Sequence, residues 1–138
     1  MRNAEHLRPF RPDQPVILVA EDEVVVQNVV RITLEGAGYF VLTAHDGQEA
    51  LELSRQYRER IHLLVTDVLM PRMDGYQLCE QFLQERPDTA VLLMSRSHHP
   101  GSTVPYLAKP FTPCALRAAV RRIIAAPGRA RVPPLPSQ

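Results

Sequence analysis

The sequence predicts an α/β fold, an open parallel sheet with helices on both faces. Three observations carry that prediction. Short runs such as Val16-Ile17-Leu18-Val19-Ala20 are apolar throughout, with no polar alternation, as in strands buried on both faces. Segments of helical periodicity separate these runs, which is the order of a parallel sheet wrapped by helices. Charged or hydroxyl residues then end the runs abruptly, and open sheets bind ligands beyond the carboxyl ends of their strands.

Each element has its own local reason. The first strand, 16–20, stops at Glu21-Asp22. Residues 24–35 place Val25, Val29 and Ile32, beside Val26, Val30 and Leu34, at helical spacing, and Gly36 and Gly38 end the helix. Tyr39–Thr43 reads as the second strand. Asp46 with Glu49 three residues later starts a helix that runs through Leu53 and Tyr57. The third strand, Ile61–Thr66, ends in Asp67. Asp74-Gly75 opens a helix bearing Leu78, Cys79 and Phe82, which stops before Pro87. Ala90–Met94 is the fourth strand, ending in Ser95, and Val104–Ala108 the fifth, ending in Lys109. Thr112 as N-cap and Pro113 as first helical residue launch a last helix through Ile124.

Composition bounds the function. The 138 residues are 45% apolar, enough to bury one core and too many for a disordered chain. Seven of the 13 prolines lie in 1–15 and 127–138, so these are read as tails around a domain at 16–126. Cys79 and Cys114 are too few for a disulfide framework or a zinc site. No segment matches a signal peptide or a membrane span, so a cytoplasmic protein without membrane insertion is expected. Residues 1–88 hold nine arginines against all 15 acids, whereas 89–138 hold six arginines, Lys109 and no acid. That basic third is read as a solvated helix face and tail, with no direct nucleic-acid binding expected.

Glu21, Asp22, Asp67, Ser95 and Lys109 would converge on one edge of the sheet. Clustered carboxylates stay ionised together only beside a cation, and their oxygens suit Mg²⁺, with Mn²⁺ also admissible. A phosphoryl group bound there would find Lys109 and Ser95 for its oxygens and Asp67 as a nucleophile. His98 and His99 stand beside Ser95 without further ligands at suitable spacing, and read as loop residues.

Three segments also carry a family resemblance. They are Ile17-Leu18-Val19-Ala20-Glu21-Asp22-Glu23, Asp67-Val68-Leu69-Met70-Pro71-Arg72-Met73-Asp74-Gly75 and Tyr106-Leu107-Ala108-Lys109-Pro110-Phe111. With them, the chain resembles the receiver domain of two-component response regulators over about 110 residues. The resemblance implies a flavodoxin-like, doubly wound five-stranded sheet of order 2-1-3-4-5. It makes Asp67 the phosphoacceptor, Ser95 the switch hydroxyl, Lys109 the phosphoryl-binding lysine and Tyr106 the aromatic that changes rotamer. Asp22, Asp67 and the main-chain carbonyl of Leu69 would hold Mg²⁺, with Glu21 acting directly or through water. A cis Lys109–Pro110 bond is implied too.

The function so implied is that of a stand-alone receiver, phosphorylated on Asp67 by a sensor histidine kinase or a histidine phosphotransfer protein. It would switch a surface toward a downstream protein partner, and would be no enzyme beyond its own phosphoryl transfer and dephosphorylation. An alternative is a receiver-like interaction module that works without phosphorylation, although the complete acid and lysine set argues against it. An α/β phosphatase would need a second Asp where Leu69 stands.

Two positions depart from the family pattern. Arg96 replaces a small residue after the switch hydroxyl, and is expected to slow hydrolysis of the phosphorylated form. Residues 96–103, Arg-Ser-His-His-Pro-Gly-Ser-Thr, are too few for a crossover helix, so the helix between the fourth and fifth strands is expected to be missing or a loop. Without it Val91, Leu93, Val104 and Tyr106 would lie uncovered and form a non-standard surface, possible ground for a homodimer.

Overall fold

A computed structural model describes residues 13–96 and 104–126. Its elements run β1 (Val16–Ala20), α1 (Val24–Gly36), β2 (Phe40–Ala44), α2 (Gly47–Gln56), β3 (Leu63–Asp67), α3 (Gly75–Glu85), β4 (Ala90–Ser95), β5 (Tyr106–Ala108) and α4 (Pro113–Ala125). The five strands form one parallel sheet of order β2-β1-β3-β4-β5, as the resemblance implies. Among the described residues no helix stands between β4 and β5, and α4 follows β5. His98, His99 and residues 1–12 and 127–138 lie outside the described residues.

The sheet is covered on both faces because successive strand residues point to opposite sides. Val16, Leu18 and Ala20 share one core with Ala50 and Leu51 of α2 and Leu78 and Phe82 of α3. Ile17 and Val19 share the other with Val30 and Leu34 of α1 and Leu116 and Val120 of α4. β1, β3 and β4 are buried along their whole length, which is why each reads as an apolar run up to the polar residues at its carboxyl end. Three side-chain caps fix helix starts: Asp46 accepts from Glu49 N–H, Asp74 from Gln77 N–H and Thr112 from Ala115 N–H. Arg86 donates to the carbonyls of Ser54, Tyr57 and Glu59, tying the end of α3 to the exit of α2.

Two expectations need correction. β5 begins at Tyr106 and not at Val104. Pro105 has no N–H to donate, so only its carbonyl meets β4, accepting from Leu93 N–H at 3.0 Å. The apolar strip is not uncovered either. Val91, Leu93 and Val104 are buried in the cluster that holds Leu78 and Phe82, and Tyr106 packs against it. The ground for a homodimer on that strip is therefore absent.

Exposed apolar area lies elsewhere. α1 carries two apolar stripes and buries only the one with Val30 and Leu34. Val24, Val25, Val29 and Ile32 face solvent, with Val25 75% exposed.

Candidate phosphoryl-acceptor site

The functional residues meet at one edge because each ends, or directly follows, a strand. Glu21 and Asp22 follow β1, Asp67 ends β3, Ser95 ends β4 and Lys109 follows β5. The ladder continues into the site through Glu21 N–H to the Ala44 carbonyl and Lys109 N–H to the Ser95 carbonyl. Gly75 permits the close approach of α3, since a Cβ there would lie 2.3 Å from the Asp67 carbonyl oxygen. The Lys109–Pro110 peptide bond is cis, as expected.

Lys109 sits at the centre. Its Nζ donates to Glu21 Oε1 and to Asp67 Oδ2, both at 2.9 Å, with only 6% of the side chain exposed. Burial works against the ammonium, yet its hydrogen bonds to Asp67 and Glu21 prevail and raise its pKa above that of a free lysine. Glu21 is wholly buried. Burial pushes its carboxyl up to about 7 despite hydrogen bonds from Glu23 N–H and Lys109, and the nearby Asp67 charge adds to the rise. The acid wall is thus held at an electrostatic cost that a second cation would relieve.

The donor set fits such a cation. One carboxylate oxygen from each of Glu21, Asp22 and Asp67 lies within 4.8 Å of the others. Three hard oxygen donors face a single ammonium, a set that suits Mg²⁺ or Mn²⁺ and offers no soft ligand. Leu69 lines the same cleft, together with Asp22, Asp67, Ser95 and Lys109. Ser95 is buried at the end of β4, and Tyr106 is half-buried in β5. Arg96 also lines the cleft, with its side chain 72% exposed.

Two residues at this edge were missed by sequence reasoning. Gln27, buried in the first turn of α1, donates from Nε2 to the carbonyls of Glu21 at 3.2 Å and Ala44 at 2.9 Å. It braces the turn that carries the acid pair. The available signal was a polar residue at 27 on the same helix stripe as Val30 and Leu34. Glu23 is the other, with its carboxylate between Arg96 and Lys109. A third consecutive acid was its only mark.

Known proteins resemble this chain in sequence and in fold. Residues 17–121 match the family model described as the response regulator receiver domain. The alkaline phosphatase synthesis transcriptional regulatory protein PhoP of Bacillus subtilis is 34% identical over a match of 116 positions that covers 78% of this chain and 48% of that protein. Response regulator MprA of Mycobacterium ulcerans is 35% identical over 78% of this chain and 49% of its own length. The chain therefore spans about half the length of these curated relatives. Among solved structures, Vibrio cholerae chemotaxis protein CheY4 superposes with a TM-score of 0.72 at 28% identity, covering 79% of this chain and 98% of that one. The receiver domain from hybrid histidine kinase CckA gives a TM-score of 0.71 at 34% identity, with the same coverage. Acids after β1, an Asp at the end of β3, a hydroxyl at the end of β4 and a lysine after β5 thus stand on a fold and a sequence that agree, and the chain belongs to the receiver domain family of two-component response regulators.

Proposed function

We propose that this chain accepts a phosphoryl group on Asp67 from a phosphohistidine of a sensor kinase or a histidine phosphotransfer protein, in a Mg²⁺-dependent reaction in the cytoplasm. The observation that carries this reading is the Asp67 carboxylate at the end of the central strand β3, held at 2.9 Å by Lys109. In the transfer, an Asp67 carboxylate oxygen attacks phosphorus. The bond from phosphorus to the imidazole nitrogen breaks, and its electron pair returns to the ring. Lys109 faces the acceptor and binds a phosphoryl oxygen, which draws it from its present contacts. Ser95 supplies a hydroxyl for another oxygen, and Tyr106, three residues before Lys109, follows the movement. A hard divalent cation held by Asp22, Asp67 and the Leu69 carbonyl, with Glu21 directly or through water, would neutralise charge on the phosphoryl oxygens.

The exposed stripe of α1 supports a helical donor. Val24 follows the acid turn at once, and Val25, Val29 and Ile32 continue along the helix. A donor helix laid on this stripe would carry its phosphohistidine over the cleft. The bound phosphoryl group then shifts a two-state surface toward a downstream partner. In this reading the chain catalyses only its own phosphorylation and dephosphorylation.

Labelling by acetyl phosphate, followed by intact mass, tests the proposal. The protein should gain a single phosphoryl group with Mg²⁺ and none in its absence. No gain under either condition would favour an interaction module that works without phosphorylation.

A further inference from the structure

Glu23 has no part in the transfer described above, yet its carboxylate lies in the acceptor cleft. Glu23 Oε1 stands 3.6 Å from Arg96 Nη2 and 3.9 Å from Lys109 Nζ. The backbone N–H of Glu23 donates to Glu21 Oε2 at 3.0 Å, so the peptide bearing this carboxylate is tied to the acid wall. Arg96 follows Ser95, whose carbonyl accepts from Lys109 N–H at 2.8 Å, so the base of the arginine is equally fixed. Both side chains line the cleft that contains Asp67.

We propose that Glu23 is an internal anion that parks Arg96 and leans on Lys109 until Asp67 is phosphorylated, when Arg96 passes to the phosphoryl oxygens. The inference rests on Asp67 being the acceptor. Its warrant is a competition between two anions for the same cations. The existing pair is longer than a direct hydrogen bond, and its side chains are 72% and 51% exposed, so little opposes its separation. A phosphoryl group on Asp67 places several charged oxygens deeper in the cleft. A guanidinium meets such a group through paired, charge-assisted hydrogen bonds, a stronger contact than the one it leaves. Like charge then drives Glu23 away from the site. Arg96 is thereby a phosphoryl-binding arm, and Glu23 sets how readily it is released.

Beryllofluoride, which takes the place of a phosphoryl group on a carboxylate, is the probe. Its affinity at saturating Mg²⁺ would be read by ¹⁹F NMR in the wild type, Arg96→Ala, Glu23→Gln and the double variant. Arg96→Ala should weaken binding by roughly tenfold, the loss of a hydrogen bond to a charged group. Arg96→Lys should restore part of it, since the charge returns without the fork. Glu23→Gln should tighten binding, and most of that gain should vanish in the Arg96→Ala background. Unchanged affinity in Arg96→Ala, or strictly additive effects, would overturn the exchange while leaving Asp67 as acceptor. No uptake by the wild type would instead overturn the acceptor reading and this inference with it.

Discussion

A lysine with both carboxylate contacts at 2.9 Å and 6% exposure has little room for another shape. Arginine would keep the charge, but its guanidinium is longer and planar, and it would have to displace Glu21 or Asp67. Lys109→Arg is therefore expected to lower stability by about 1–3 kcal/mol, the range for an overfilled buried site. It should also fail to support phosphorylation-dependent partner binding. Thermal unfolding and a pull-down with and without phosphorylation would check both. This residue was legible from sequence because it is the one lysine among sixteen basic residues and ends an apolar run. Gln27 was not, because a glutamine on a helix stripe gains its meaning only when two strand-end carbonyls lie within reach.

Helix starts place the site as much as strand ends do. α3 begins against the Asp67 carbonyl, and a Cβ on Gly75 would also lie 2.9 Å from Val68 Cα. These are backbone atoms, so Gly75→Ala must shift either α3 or the end of β3. A loss of about 1–3 kcal/mol in chemical denaturation, with slower labelling of Asp67, is the expected result. At α2, the Glu49 N–H and the nearby Arg72 lower the pKa of Asp46. An acid with a depressed folded pKa stabilises the protein above its unfolded value and loses that contribution as pH falls through the folded one. Asp46→Asn keeps the cap and removes the charge. The wild type should be more stable by roughly 0.3–1 kcal/mol at neutral pH, and the two should converge as the solution is acidified below the usual Asp range. Stability curves against pH decide this. Elements were legible where one local signal governs them, as with the Asp46, Asp74 and Thr112 caps. The start of β5 was misread because an apolar pattern was followed past Pro105, whose missing N–H delays the ladder.

At the scale of the molecule, a parallel sheet covered on both faces and the convergence at its carboxyl edge followed from where the apolar runs stop, whereas the strand order came with the family resemblance. Which stripe of α1 is buried followed from neither. Both stripes are apolar, and only packing against the sheet and α4 selects Val30 and Leu34. The strip on β4 and β5 was misjudged for a related reason, since its cover comes from residues brought together by the fold. The unburied α1 stripe yields a prediction about partner choice. Val25→Glu and Ile32→Glu should each change stability by no more than about 0.5 kcal/mol, as both positions are exposed. Transfer from a phosphohistidine donor should slow in each, while labelling by acetyl phosphate stays as in the wild type. Equal slowing with both donors would place the defect in the site itself.

Locating the phosphoryl group on the chain decides whether Asp67 is the acceptor. The protein would be incubated with Mg²⁺ and a phosphohistidine donor, reduced with borohydride to trap any acyl phosphate, and mapped by peptide mass. A single trapped position, Asp67, is expected, with no trapping in Asp67→Asn, which should keep its fold because the residue is the last of its strand, at the carboxyl end of the sheet. Trapping at another residue, or persistent labelling of Asp67→Asn, would contradict that role for Asp67.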